Sequence, residues 1–179
     1  MQAVSNTKGS WMTEKIMRMI GREAPPLVSP DEVNKSDIRR FVQAVMDDNP
    51  IFYDDARASQ TKYGEIVAPG SYPVTFVGKR PLGTPDPMTQ QETGVGQAAR
   101  ELQGPLPDDA RLFHGSSDLE IRRLPKLGDR ITMRERLTDI YEKTGRSGRL
   151  AFIVTEKTFT NQDDEILCIE RYAGVAILG

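Results

Sequence analysis

Carboxylates are concentrated in one short segment, residues 47–54, whose sequence is Asp-Asp-Asn-Pro-Ile-Phe-Tyr-Asp. Neighbouring carboxylates can raise one another's pKa, which suits a general acid or base, and a turn at the end of a helix would display them. An ordinary solvated helix end would have the same composition. The residue types therefore leave open both acid–base chemistry and a purely structural turn.

A second candidate is the segment 64–72, with the sequence Gly-Glu-Ile-Val-Ala-Pro-Gly-Ser-Tyr. If a helix begins near Pro69 or Gly70, its free N–H groups could bind a carbonyl oxygen or a developing oxyanion. Gly70 would also let a ligand approach the backbone closely. The alternative is a turn that leads into a core helix.

The chain contains one histidine, His114, and one cysteine, Cys168. These counts exclude a disulfide framework within the chain and a zinc site built from Cys/His clusters, so we expect no metal. Ser116, Ser117 and Asp118 follow the histidine and suggest a hydrolase triad. Residues adjacent in sequence rarely converge on one point, however, and no G-x-S-x-G motif surrounds either serine. We therefore expect a structural histidine at the entrance of a strand.

Two further motifs carry weaker signals. Residues 94–99 fit G-x-G-x-x-A, but no strand precedes them, so the dinucleotide interpretation fails and a loop is expected. Lys143, Arg146 and Arg149 surround a glycine-rich turn and could hold the phosphates of a cofactor such as coenzyme A. A solvated hairpin tip is the alternative.

The composition limits the possible classes of protein. The 179 residues fit one domain, residues 1–179, rather than two. With 24 basic and 26 acidic residues there is no general basic field, so we expect no binding to nucleic acid. The longest uncharged stretch, residues 66–78, is short and broken by prolines, so we expect no membrane span. The N-terminus has no apolar signal core, and together with the single thiol this favours the cytoplasm.

Apolar periodicity predicts the elements that position these residues. A short helix is expected over residues 11–20, ended by Gly21, and an extended piece over 27–33. The clearest helix has Ser36 as its N-cap and ends before Pro50; its apolar residues recur at i, i+3, i+4 and i+7, namely Ile38, Phe41, Val42 and Val45.

The second half of the chain is strand-like from Asp118 onward and predicts an antiparallel meander of about four strands. Before it, residues 79–117 hold five of the twelve prolines, which is typical of a long insertion with at most one short helix near residues 97–102. Helices followed by a meander indicate an α+β fold in which few helices cover one face of the sheet.

Taken in order, these motifs resemble the hotdog-fold MaoC-like dehydratases and (R)-specific enoyl-CoA hydratases, in particular their N-terminal, fatty-acid-synthase-like dehydratase domains. The resemblance extends from about Ile20 to the C-terminus. Six segments carry it: residues 38–41, 47–54, 64–69, 114–115, 125–129 and 160–162. It implies a curved antiparallel sheet wrapped around a central helix that starts near Ala68, with the insertion 79–117 after that helix.

The resemblance also implies a reaction, the reversible addition of water across the double bond of a 2-enoyl thioester of coenzyme A or acyl carrier protein, without a cofactor. Catalytic members resemble D-x-N-P-x-H-x-D, in which Asp and His activate the water and a glycine N–H polarises the thioester carbonyl. Here Phe52 stands where histidine is expected. Tyr53 is a poor substitute, because a tyrosine hydroxyl has an ordinary pKa of about 10. The other positions fit, namely Asp47, Asn49, Pro50 and Asp54.

Some hydratases of this group combine two unlike hotdogs, one with the Asp/His pair and one that shapes the acyl pocket. This chain resembles the second kind, so a catalytic hotdog partner is implied, although a homodimer stays open. The implied catalytic residue is Asp47; the implied substrate-binding residues are Asn49, Tyr53, Ala68, Pro69 and Gly70. Two alternatives remain: a hotdog acyl-CoA thioesterase with Asp47 or Asp54 as base or nucleophile, and a non-catalytic acyl-CoA-binding hotdog.

Overall fold

A computed structural model describes residues 11–78, 83, 111–145 and 148–178 of this chain. The described residues form a five-stranded sheet with short helices before it. In chain order the elements are α1 (Glu14–Met17), β1 (Leu27–Val28), α2 (Lys35–Val45), a 3₁₀ helix (Pro50–Phe52), α3 (Asp55–Ser59), a second 3₁₀ helix (Tyr72–Gly78), β2 (Arg111–Ile121), β3 (Thr132–Gly145), β4 (Gly148–Thr160) and β5 (Ile166–Leu178).

The strands are all antiparallel and lie in the order β1-β3-β4-β5-β2. The predicted meander is correct for β3, β4 and β5. It is wrong for β2, which pairs with β5 at the far edge instead of with β3. The backbone N–H groups of Arg122 and Arg123 both donate to the carbonyl of Leu167, which holds the end of β2 against β5. The chain must then cross the end of the sheet to reach β3.

The predicted insertion extends too far at its C-terminal end. Residues 111–117 belong to β2, where Arg111 pairs with Ile177 and Ser117 pairs with Tyr172. The sequence does not predict a strand over residues 111–117, because the apolar alternation typical of strands begins only at Leu119. The remainder of the insertion except Gly83 lies outside the described residues, and so do the 94–99 motif, the helix near 97–102 and Arg146.

The helices follow the predicted periodicity with different ends. Asn34, not Ser36, caps α2, because its side-chain oxygen accepts a hydrogen bond from the Asp37 N–H at 3.0 Å. The chain leaves α2 at Met46, whose left-handed conformation stops the helix. The helix expected over residues 11–20 is reduced to α1 followed by turns, and Gly21 has a φ of +91°.

We call the face of the sheet that carries Met133, Leu137 and Phe159 the inner face. Two larger apolar clusters and a smaller one around Ala151 and Ala176 cover it. The first contains α2, residues 66–68 and Tyr72, packed against Met133, Phe159 and Cys168. The second contains Ile16 of α1 and Met19 of the following turn, packed against Leu137, Ile140 and Ile153. The opposite, outer face carries ion pairs of Arg171 with Glu156 and Glu120.

The two edges of the sheet differ. Residues 21–28 run along the free edge of β3, where the Gly21 N–H donates to the carbonyl of Leu137 and the Ala24 N–H donates to the carbonyl of Glu135. At the opposite edge β2 pairs only with β5 among the described residues. None of the helices in residues 11–78 is long and apolar enough to cross a bilayer.

The first cluster yields a stability prediction. Replacing Ile38, which is fully buried in α2, with alanine is expected to lower the free energy of unfolding by about 2–5 kcal/mol, because it opens a cavity. The matched control is Val45→Ala on the same helix. Val45 is 51% exposed, so its loss should change stability by less than about 0.5 kcal/mol. Urea denaturation checks both; equal effects would contradict the described burial.

Candidate functional site

The first candidate segment begins directly after α2 and forms two consecutive turns. One carboxylate oxygen of Asp47 accepts a hydrogen bond from the Asn49 N–H at 3.1 Å. The side-chain oxygen of Asn49 accepts in turn from the Ile51 N–H at 3.2 Å and caps the 3₁₀ helix that Pro50 opens. The Asp-x-Asn-Pro motif therefore forms a side-chain-stabilised turn at Asp47 followed by a helix cap at Asn49, and the two together fix the conformation of the loop.

The remaining polar residues of this segment are also bound locally. The carboxylate of Asp54 accepts hydrogen bonds from the N–H groups of Ala56 and Arg57, at 2.9 and 3.1 Å, and so caps α3. The hydroxyl of Tyr53 donates to the carbonyl of Asp48 at 2.8 Å, and its ring is half exposed. In the described residues, Asp54 is thus a helix cap and Tyr53 a surface residue beside the turn.

Phe52 lies on the opposite side of this turn and is buried, with 7% of its surface exposed. It packs in the first cluster together with Val67, Ala68 and Tyr72. The structure therefore brings the two candidate segments together through this phenyl ring. A phenyl ring has no group that can accept or donate a proton, so this position contributes packing alone.

The second candidate segment is extended before it becomes helical. Val67 forms a β-bridge with Lys126, and the Ala68 N–H donates to the carbonyl of Pro125 at 2.8 Å. The Tyr72 N–H then donates to the carbonyl of Pro69 at 2.9 Å, and the second 3₁₀ helix follows. The central helix predicted to start near Ala68 therefore begins, within the described residues, as a 3₁₀ helix at Tyr72.

Gly70 is buried where this segment meets β2. A Cβ atom at this position would lie 2.6 Å from both Cδ1 and Cγ2 of Ile121, so any side chain here would force Ile121 or the loop to shift. No acceptor in the described part of the chain receives a hydrogen bond from the Gly70 N–H. The close approach explains why glycine occupies this position, and the N–H is a donor that a ligand could use.

The residues considered for a triad lie in β2 without forming one. His114 packs against the ring of Tyr172, with 5.2 Å between ring centroids, and lies within the strand rather than at its entrance. The Ser117 hydroxyl donates to Glu170 at 2.8 Å, while Asp118 pairs across the sheet with Arg171. Serine, histidine and aspartate therefore have separate partners.

The cations near the β3–β4 turn likewise have local partners. Lys143 lies over the stacked rings of Tyr141 and Phe152, about 5 Å from each centroid, which is cation–π geometry. Arg149 pairs with Glu142 at 3.6 Å. These contacts favour the hairpin-tip interpretation over a phosphate site.

Sequence reasoning missed a polar group on the inner face, made of Ser117, Glu135, Thr155, Lys157 and Glu170. Four strands must pair in register before these residues meet, so no local motif reveals them. One signal existed: Glu135 lies two residues from both Met133 and Leu137, so it shares a face with buried apolar residues. Burial raises the pKa of the Glu135 carboxyl above its usual range, although the nearby Lys157 ammonium opposes this shift.

The raised pKa of Glu135 gives a pH prediction. The folded state binds this proton more tightly than the unfolded state, so the charged carboxylate lowers stability as the pH rises above about 4.3. Glu135→Gln should therefore raise Tm relative to the unmodified protein, by an amount that grows with pH. Glu23→Gln, at an exposed position, is the control. A Tm difference independent of pH would contradict the prediction.

The comparisons with known proteins agree with this architecture. A UPF0336 protein of Thermobifida fusca is 31% identical over 126 residues, which cover 70% of this chain and 72% of that protein. A probable enoyl-CoA hydratase alpha subunit of Thermomonospora curvata is 28% identical over 163 residues, which cover 89% of this chain and 50% of that protein.

Among solved structures, the ChsH1–ChsH2 complex from Mycobacterium tuberculosis superimposes with a TM-score of 0.68 at 22% identity, over 90% of this chain and 88% of that chain. This likeness and similar ones confirm the predicted hotdog fold. The family described as the FAS1-like dehydratase domain region matches residues 18–170. The chain therefore belongs to this dehydratase-domain family, as its motifs predict.

Proposed function

We propose that this chain is the pocket-forming component of an enoyl-thioester hydratase or dehydratase, and that a second hotdog chain supplies the acid–base pair. The observation that carries the proposal is the buried Phe52. The turn around it keeps Asp47 and Asn49 of the family pattern, whose side chains accept backbone hydrogen bonds. The position of the proton-transferring histidine is instead filled by Phe52, a core residue. The turn is kept without the residue that would transfer the proton.

The substrate class follows from the loop at Gly70. Its N–H lies in a buried segment, has no acceptor among the described residues, and can donate to the carbonyl oxygen of an acyl thioester. Such a donor stabilises the enolate-like charge that develops when water adds to the double bond. The thioester is carried by coenzyme A or acyl carrier protein, and the reaction needs no cofactor. Asn49, Tyr53, Ala68 and Pro69 complete the proposed lining.

Among the carboxylates of this turn, we assign a part in the reaction to Asp47 alone. Only one of its oxygens is used by the Asn49 N–H in the described residues, so the other is available to orient a water molecule. Asp54 is less suited, because its Oδ1 accepts both capping hydrogen bonds of α3. This use of Asp54 as a cap also disfavours the thioesterase alternative in which it acts as nucleophile.

The proposed partner is a hotdog that pairs along β2. This strand is long, its residues 113–118 are exposed, and among the described residues it pairs on one side only. An unpaired strand edge of this length can form backbone hydrogen bonds with a strand of another chain. The similarity to a hydratase named as an alpha subunit, and to a structure solved as a complex of two named chains, supports an assembly of two unlike chains.

Reconstitution tests the proposal. The chain is purified from its native source with any hotdog chain that carries an intact D-x-N-P-x-H motif, and loss of a 2-enoyl-CoA is followed together with thiol release. We expect hydration by the pair, none by this chain alone, and no thiol release. Thiol release that Asp47→Asn abolishes would establish a thioesterase instead. Binding of thioesters without turnover in any mixture would establish a non-catalytic hotdog.

A variant of Gly70 tests the role of the loop. In Gly70→Ala the new methyl group must displace Ile121 or the loop. A displaced loop would carry the residue 70 N–H away from the carbonyl oxygen of the bound thioester. We expect hydration by the pair to fall about 100-fold, as for loss of one oxyanion donor. Gly145→Ala is the control, since its Cβ would lie at ordinary contact distances, 3.4 Å from Leu150 and 4.0 Å from the Gly148 carbonyl oxygen. Unchanged hydration in Gly70→Ala would remove this loop from the proposed site.

A further inference from the structure

The polar group on the inner face lies between the two apolar clusters. We call it the sheet-centre cluster: Ser117, Glu135, Thr155, Lys157 and Glu170. Glu135 pairs with Lys157 across β3 and β4, and Lys157 pairs with Glu170 across β4 and β5. Glu135 and Glu170 are both buried. The proposed reaction uses none of these residues.

The charges at the centre of this cluster compensate each other. Lys157 donates to one carboxylate oxygen of Glu170 at 3.1 Å, and the Ser117 hydroxyl donates to the other at 2.8 Å. The same ammonium lies 5.2 Å from the centroid of the Tyr172 ring. An ammonium and a carboxylate held in this way leave no net charge that would attract an ionic ligand.

The inner end of the cluster holds unused hydrogen-bonding capacity. Thr155 is 4% exposed, and its hydroxyl has no hydrogen-bond partner among the described residues. It lies beside Glu135, also 4% exposed, without a hydrogen bond of normal geometry between them. The oxygens of the Glu135 carboxyl group add hydrogen-bond acceptors beside it. Buried polar groups are nearly always paired, so the unpaired Thr155 hydroxyl indicates a missing partner.

The cluster lies on the same face as the loop at Gly70. Ile121, which contacts Gly70, and Ser117 both point to the inner face of β2, four residues apart. At about 3.4 Å per residue this places Ser117 about 14 Å along the strand from Ile121, the residue that contacts Gly70. Ser117 is exposed whereas Glu135 is buried, so the cluster is accessible to solvent at its β2 end.

We propose that the sheet-centre cluster binds a neutral oxygen substituent, a hydroxyl or a ketone, on the acyl group of the thioester. This inference rests on the proposed function, because the loop at Gly70 fixes the thioester end. The compensated Lys157–Glu170 pair disfavours a charged substituent, and the Thr155 hydroxyl and the Glu135 carboxyl offer a donor and an acceptor to a neutral one.

Calorimetry with two matched series of saturated acyl-CoA molecules tests this inference. The series have graded chain lengths, one unsubstituted and one with a terminal hydroxyl, and the protein is the full chain with its co-purifying partner. At the length that reaches the cluster, we expect the hydroxylated form to bind about 3- to 10-fold more tightly, as one or two added hydrogen bonds allow.

Two variants separate binding from folding. Thr155→Val removes the unpaired hydroxyl at nearly constant volume, and should abolish the preference without lowering Tm. Thr158→Val, on the outer face of the same strand, should leave the preference unchanged. A preference that survives in Thr155→Val, or equal affinities of the two series at every length, would overturn this inference and leave the proposed function intact. Failure of both series to bind would overturn both.

Discussion

The connection that carries the chain from β2 to β3 holds the other parts of the structure together. Its buried Asp129 accepts hydrogen bonds from the Lys126 N–H and from the Gln162 side chain. The Val33 N–H, just before α2, donates to the carbonyl of Asp129, and the Gly128 N–H returns a bond to Val33. Because β2 and β3 lie far apart in the sheet, the chain has to cross here, and both candidate segments are positioned from this crossing.

The inner face of the sheet divides into regions with different energetics. The two apolar clusters gain free energy from burial in proportion to area, and no single contact is decisive. The polar residues between them are favourable only while each has a partner, since an unmatched buried group costs about 1–3 kcal/mol. Apolar packing therefore supplies stability, whereas the Lys157–Glu170 pair favours one register between β4 and β5.

The sequence allowed much of the fold to be predicted. The repeated apolar spacing of Ile38 and Val42 identified α2, and the turn residues after Thr160 separated β4 from β5. The position of β2 was not predictable, because strand order depends on pairing between distant segments. The sequence of residues 111–117 alone does not indicate that they pair with β5. The cap at Asn34 was missed since Asn34 and Ser36 are equally good cap residues.

The candidate site was predictable in its local parts and not in its long-range ones. The turn at Asp47 and Asn49 and the small residue at Gly70 are properties of short segments, and the structure retains both. The Gly70–Ile121 contact and the Glu135–Lys157 pairing join residues far apart in sequence, so they emerge only from the assembled sheet. The roles of these residues in binding and catalysis stay predictions.

The unequal edges of the sheet set a limit on how it can grow. Residues 21–28 pair along the edge of β3 from Thr132 to Leu137, so this part of the edge cannot accept a strand from a neighbouring sheet, whereas β2 pairs on one side only among the described residues. Covering a strand edge in this way reduces the surface along which a sheet can extend to another molecule. The short segment before α2 thus protects the edge of β3 with which it pairs.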